Sequence, residues 1–366
     1  MTAADPAPDR SAVDGGTLAL VESPVQLLNV LEWTHARRAG DGRPSEPDDP
    51  LVVVLPPRDP MTRGQLRRMA GLARDEGLRV CWQEARDDAR GPLRTVRALA
   101  GPLRRAARVV VGDPFSRYLQ LLLTLTRRHC EVVVVDDGTA TMAFVHQVAG
   151  GEPLVRWHRA GAGGLRGAAF APLAARATRR LGPGPGRRVE VFTALPVAAP
   201  DGVRLTVNRL AWTRARFGPP TVVAGTDLVG TSLVETGVVD ADRYREAVCA
   251  LAAEHRVTRY LAHRRESPEK LADLAAAAGV EIVRPDLPLE LVARRGPIGR
   301  SVLSFPSTVV HTLPRVLAGT GVAVTVCGVD ASWLTDRASP RAHGFLRQVV
   351  GTARGVRRLP GRPLAP

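Results

Sequence analysis

The chain is almost without lysine. Of its 51 Lys and Arg residues Lys270 is the single lysine, so arginine carries the net charge of +15. Aromatic residues make up only 4%. Scattered arginines with so few aromatics form no stacking platform for single-stranded nucleic acid, and no specific nucleic-acid partner is expected. Cys81, Cys130, Cys249 and Cys327 lie far apart with no CxxC pair, which argues against a zinc site and against a disulfide framework. Long apolar runs are missing as well. The longest, YLQLLLTL at 118–125, falls far short of the roughly 20 residues that span a bilayer as a helix. The opening MTAADPAPDRSAVDGG is polar, rich in Pro and Gly, and without a signal-peptide core. A disordered lead-in over 1–16 and a cytoplasmic location are the expectations.

What is present is an ordinary globular composition, 45% hydrophobic and 24% charged over 366 residues, enough for about two domains. The arginine bias reads first as compositional drift. Its functional reading is affinity for anions: a nucleotide, an acidic polysaccharide or an anionic membrane surface.

From residue 17 short apolar runs alternate with helical stretches. TLALVES (17–23), LVVVLPP (51–57), RVCWQEA (79–85), ARVVVGDP (107–114) and EVVVVDDG (131–138) read as strands. Strands apolar throughout, separated by helices, indicate a parallel sheet covered on both faces. The order breaks near Gly150, where RAGAGGLRG (159–167) and LGPGPGRR (181–188) flank an Arg/Ala-rich helix at 168–180. No strand precedes those glycines, so they read as a loop and not as a dinucleotide fingerprint. The helix presents a solvated basic face, with docking on an anionic membrane as the functional alternative. A second alternation starts near Pro220: strand and turn at 221–227, a helix at 240–255 capped by Asp240, strands near 257, 281, 301 and 321–329, and a closing helix near 339–356. The expected architecture is α/β, with two Rossmann-like parallel-sheet domains facing across a cleft. The expected limits are 17–205 and 221–366, joined by a linker at 206–220.

In open parallel sheets ligands sit at the C-terminal strand ends, and four such ends carry chemistry. The first has Glu22, Ser23 and Pro24, with Gln26 beyond; Ser23 and Gln26 are candidates for lining the acceptor side. The fifth has Asp136, Asp137 and Gly138. In the second unit one strand runs into His263-Arg264-Arg265-Glu266, and another into Ser304-Phe305-Pro306-Ser307-Thr308, with His311 a turn later. Each has a plain alternative: an Asp-Asp-Gly turn, a surface histidine, a Ser-Thr helix cap. Together they form the inventory for moving a sugar from a phosphate leaving group to a hydroxyl. One Asp acts as general base, its pKa raised by the neighbouring carboxylate; Asp136 is the first choice, with Asp137 and Gly138 shaping the loop. His263 titrates near neutrality and protonates or hydrogen-bonds the phosphate. Ser307 and Thr308 cradle that phosphate at a helix start. No metal or other cofactor is expected, although an Asp pair is also a Mg²⁺ ligand set.

At these residues the chain resembles the bacterial sialyltransferase and polysialyltransferase families, including the lipooligosaccharide sialyltransferases. VDDGTA is similar to their Asp/Glu-Asp/Glu-Gly motif, YLAHRRES to their His-Pro motif, SFPSTVVHTL to their Ser-Ser/Thr motif and ESPVQLLNVLE to their SPxQ start. The resemblance spans about 18–313. It implies a GT-B-type, inverting, metal-independent transferase that uses a CMP-activated nonulosonic sugar. The general base would lie in the Asp136/Asp137 pair, His263 would act on the phosphate, and Ser307 and Thr308 would bind it. Glu290 would bind the cytidine ribose; its plain alternative is an exposed helix-start glutamate. The proline expected after the motif histidine is Arg264 here, which is placed to contact the phosphate or donor carboxylate. The implied partners are a CMP-nonulosonate donor and a glycan or lipid-linked glycan acceptor, with peripheral attachment to an anionic membrane at its inner face. The competing readings are a UDP- or GDP-sugar transferase or epimerase of the same fold, and a non-enzymatic polyanion-binding protein.

Overall fold

The computed structural model describes residues 15–40, 49–88, 90–154, 165–336, 338 and 340–361. The expected lead-in lies outside these, except for residues 15 and 16, as does most of the 159–167 loop. The chain divides into two compact units, Met1–Trp212 and Thr213–Pro366.

In the first unit, β1 (Thr17–Val21), α1 (Pro24–Gly40), β2 (Leu51–Val54), α2 (Pro60–Asp75), β3 (Val80–Trp82), α3 (Gly91–Arg105), β4 (Arg108–Val111), α4 (Arg117–Leu123), β5 (Glu131–Val135) and α5 (Thr139–Ala149) follow one another. They continue with α6 (Leu165–Leu181), β6 (Val189–Thr193) and β7 (Val203–Val207), and α7 (Ala211–Arg216) runs across the boundary between the units. The strands form one seven-stranded sheet in the order β3-β2-β1-β4-β5-β6-β7, parallel throughout. Val132 to Val135 of β5 are buried, as a strand covered on both faces must be. Prolines open α1 and α2, where their missing N–H costs nothing; Asp59 caps α2 by accepting from Thr62 N at 2.7 Å.

The order does not break at Gly150. After α6 the same sheet gains β6 and β7, and β7 and α7 occupy most of the expected linker. Glu190 hides β6 by placing a charge inside a strand, and an ion pair with Arg204 accommodates it.

The second unit holds β8 (Val222–Val229), α8 (Ala241–His255), β9 (Val257–Leu261), α9 (Pro268–Ala278), β10 (Glu281–Val283), α10 (Leu289–Arg295), β11 (Ile298–Ser304), α11 (Val309–Val316), β12 (Ala323–Cys327), α12 (Pro340–Thr352) and β13 (Arg357–Leu359). Its six-stranded parallel sheet has the order β10-β9-β8-β11-β12-β13. Asp227, read as a turn residue, lies inside β8. It accepts two hydrogen bonds from Arg259 of β9, at 2.8 and 2.7 Å, and one from Gly299 N at 2.7 Å, so its charge is matched within the sheet. In each sheet the chain reverses its direction of growth once, between β1 and β4 and between β8 and β11, and ligand sites belong beside such points. No helix among the described residues is long and apolar enough to cross a membrane.

Candidate functional site

In the first unit the two aspartates after β5 turn to opposite sides of it. Asp136 is buried, and its Oδ2 accepts from Ala194 N, just past β6, at 2.6 Å. Its carbonyl accepts from Asn29 Nδ2 at 3.0 Å, and Asn29 is held in turn by Asn208 at 2.8 Å. Burial pushes the Asp136 carboxyl up to about 6 against hydrogen bonds from Thr193, Ala194 and Thr141 that lower it; the Asp137 charge is the smallest contribution. Asp137 is half-exposed. Its Oδ1 accepts from Ser23 Oγ, after β1, at 3.2 Å, and its N–H donates to Thr141 Oγ1 at 3.0 Å. Gly138 sits at φ +62°, ψ −126°, a backbone conformation open only to glycine, and starts α5 there.

This arrangement corrects three expectations. The raised pKa of Asp136 comes chiefly from burial and only in the smallest part from its neighbour. The accessible carboxylate, the one able to meet a hydroxyl, is Asp137 and not Asp136. The two point apart, so they do not form adjacent ligands for Mg²⁺; among the described residues no cluster of three or more His, Cys, Asp or Glu could hold a metal ion. Ser23 and Gln26 are both buried and do not line an acceptor surface. Ser23 orients Asp137 and accepts from Gln26 N at 3.3 Å. Gln26 Oε1 accepts from Glu22 N at 2.7 Å, and its side chain fills the space that a Cβ on Gly112 would need.

A charged group that sequence reasoning missed lies at the same strand ends. Arg86, after β3, pairs with Glu22, donates to the Leu55 and Pro56 carbonyls at 2.8 and 3.2 Å, and lies 5.8 Å over the Tyr118 ring. Burial and the nearby Asp113 keep the Glu22 pKa raised in spite of Arg86. One arginine among so many carries no distinguishing signal in the sequence.

A buried carboxyl with a folded pKa near 6, against an ordinary 3.8, keeps its proton longer in the folded chain. Its contribution is fully favourable below pH 4 and is lost as the pH rises through 6. The stability difference between Asp136→Asn and the parent, read by urea unfolding, is therefore expected to move by about 2 kcal/mol in favour of the variant between pH 4 and pH 7. A difference that is flat with pH would show Asp136 to be ionised throughout.

In the second unit the motif histidine follows β9. His263 is half-buried, and its Nδ1 accepts from Arg265 N at 3.2 Å, which leaves the ring proton on Nε2. Burial, then the charges of Arg264 and Arg265, push its pKa down to about 4. The expected titration near neutrality does not occur: at neutral pH this imidazole is an uncharged Nε2–H donor. The turn is held by Glu266, whose N–H donates to the His263 carbonyl at 3.0 Å and whose Oε2 accepts from His263 N at 2.6 Å. Glu266 thus supplies the turn that a proline at position 264 would have shaped. Its other oxygen accepts from Tyr260 Oη at 2.6 Å and pairs with Lys270 Nζ at 2.9 Å. Tyr260 in turn lies 2.7 Å from the Tyr244 hydroxyl, and Lys270 rests 4.3 Å from the centre of the Tyr244 ring. Glu266 and Tyr260 close over Gly230 at the end of β8, where a Cβ would collide with both.

Ser307 and Thr308 are half-buried at the start of α11. Thr308 is the capping residue by position, but its side chain makes no capping hydrogen bond, so the simple cap reading does not hold for it. Glu290 is buried, not exposed; its Oε1 accepts from Thr312 Oγ1 of α11 at 2.7 Å, and burial raises its pKa. His311 is buried beside this turn, its Nε2 without a hydrogen-bond partner and its pKa pushed down to about 4 by burial and then Arg315.

No family model matches the chain, and no curated protein matches it in sequence. Solved structures do match. A protein assigned as a UDP-N-acetylglucosamine 2-epimerase from Listeria monocytogenes aligns over 86% of this chain and 79% of its own, at 12% identity and a TM-score of 0.50. An α/β-galactoside α-2,3-sialyltransferase from Photobacterium phosphoreum aligns over 93% and 98%, at 9% identity and a TM-score of 0.47. The heptosyltransferase WaaC of E. coli aligns over 94% and 92%, at 14% identity and a TM-score of 0.40. The fold is of the GT-B type. The match at a TM-score of 0.50 and 12% identity carries the architecture alone, and the chemistry rests on the residues.

Proposed function

We propose that the protein is an inverting glycosyltransferase that moves a sialic-acid-type (nonulosonic) sugar from its CMP donor to a hydroxyl of a glycan or lipid-linked glycan. The observation that carries this reading is the start of α11. There Thr308 leaves its hydroxyl uncommitted to capping, and one turn later Thr312 holds the buried carboxyl of Glu290.

The chemistry follows from those positions. The acceptor oxygen attacks the anomeric carbon as the bond from that carbon to the CMP phosphate oxygen breaks. The acceptor proton passes to Asp137, and the bonding pair leaves with the phosphate. Ser307, Thr308 and the free N–H groups of the helix start receive the added negative charge. Neutral His263 donates its Nε2–H to the same phosphate without becoming a source of free protons, and Arg264 adds positive charge beside it. Glu290, oriented by Thr312, accepts from the ribose hydroxyls. Ser23, Gln26 and Asp136 position Asp137 and its turn.

Incubation with CMP-sialic acid and a panel of glycan acceptors is expected to release CMP. Thermal stabilisation by CMP is expected to exceed that by UDP or GDP at equal concentration. Preference for UDP or GDP would favour a transferase or epimerase acting on those sugars. No response to any nucleotide, together with salt-sensitive polyanion binding indifferent to His263 and Asp137, would leave a polyanion-binding protein.

A further inference from the structure

We propose that Arg128, Arg176, Arg180 and Arg187 form a binding site for a phosphate-type oxyanion, at the end of the first sheet opposite Asp137. Arg176 and Arg180 stand one turn apart on α6 and share a face. Arg187 folds back over the end of that helix, and its Nη1 donates to the carbonyls of Arg179 and Gly182. The loop before β5 packs alongside, with the His129 ring 3.4 Å from the Gly186 carbonyl oxygen, which brings in Arg128. These segments precede β5 and β6, whereas Asp137 follows β5, so the arginines lie a strand length from the proposed chemistry.

Two observations mark the cluster as a site and not merely a basic surface. Arg180 Nη1 and Arg187 Nε are both shut off from solvent without a hydrogen-bond partner, a costly state for guanidinium donors. Among the described residues, local acids do not answer the charge. Glu131, at the start of β5, is paired with Arg108 at 2.9 Å and comes no closer than 4.0 Å to Arg188. The Cys130 thiol is pushed up to about 11 by burial and stays neutral. Burial, then the charges of Arg187, Arg176 and Arg128, hold the Arg180 guanidinium below its ordinary pKa. Capping the helix accounts for Arg187 in part; it does not account for Arg180 or Arg176. A tetrahedral oxyanion offers acceptors to several guanidinium groups at once, which a planar carboxylate does less well.

The same chemistry is presented by a soluble phosphate compound and by the headgroup of an anionic phospholipid, and one experiment separates them. With the full chain, calorimetry in inorganic phosphate against chloride at matched ionic strength is expected to show saturable binding. Arg180→Gln and Arg176→Gln are each expected to weaken it about tenfold, as loss of a charge-assisted pair would, and Arg245→Gln in the second unit to leave it unchanged. Arg176 is exposed, so its variant tests the site even if Arg180→Gln fails to fold. Co-sedimentation with phosphatidylglycerol but not phosphatidylcholine vesicles, lost in the same two variants, would make the source a membrane lipid. Phosphate binding without vesicle binding would make it a soluble phosphate compound. Phosphate acting no better than chloride, or an equal loss in Arg245→Gln, overturns the site. Transfer to a soluble acceptor does not depend on Arg176, so the oxyanion site stands or falls independently of the proposed activity.

Discussion

Asp137→Asn is expected to lower kcat for sugar transfer by roughly 10²- to 10⁴-fold, the usual worth of a general base, while the thermal shift produced by CMP stays the same. Geometry decides this before electrostatics does. A base must reach the acceptor proton, and of the two carboxylates after β5 only Asp137 is partly open to solvent. The hydrogen bond it accepts from Ser23 Oγ at 3.2 Å fixes its direction without consuming both oxygens. Asp136 has an oxygen committed to Ala194 N and is buried. Asp136→Asn is accordingly expected to keep turnover within about tenfold, because its effect on rate passes only through the position of Asp137. Steady-state CMP release by the two variants is the measurement. The reverse ranking, with Asp136→Asn the dead enzyme, would return the base to the buried position.

Glu266→Ala is expected to cost about 3–5 kcal/mol, because it removes a buried carboxylate that a hydroxyl, a backbone N–H and an ammonium share. Tyr260 Oη and His263 N lose this acceptor at once, and Lys270 Nζ loses one of its two carboxylates, keeping Glu235 at 3.1 Å. At 2–4 °C per kcal/mol for a domain of this size, the melting transition of the second unit falls by roughly 6–20 °C in calorimetry. Glu266→Gln keeps the shape and an acceptor oxygen and is expected to cost less. It also tests whether Glu266 positions the histidine. In the Gln variant kcat falls while donor KM holds, and the His263 ring-nitrogen shifts in NMR lose their single Nε2–H pattern. If both variants melt with the parent and leave those shifts unmoved, the network does not hold the turn.

The two parallel sheets were legible because most of their strands hold a run of apolar residues and their helices carry caps, such as Asp240 on α8 and Ser267 on α9. The strands that went unread, β6, β7 and β13, carry charge inside short runs: Glu190 in the first, Arg204 in the second, Arg357 and Arg358 in the third. Arg357 and Arg358 are exposed on β13, and Glu190 is tolerated through Arg204 of the next strand; a local apolar pattern reveals none of these strands. The site residues were visible as residue types at strand ends, but their states were not. Asp136 and Asp137 differ only in which side of β5 they face. His263 owes its neutral form to burial and to two arginines. The part played by Glu266 depends on Tyr260, Lys270 and the bare Gly230, which come together only in the fold.

The one lysine gives this chain an unusual chemical handle. Reagents that modify amines meet a single side chain, Lys270, besides the chain's α-amine, and its side chain is only 15% exposed. Reductive methylation with ¹³C-formaldehyde would therefore place one reporter at the heart of the Glu266 network. Its methyl signals, lying against the Tyr244 ring, carry a ring-current shift that reads the integrity of the histidine turn in solution, with no need to engineer a label.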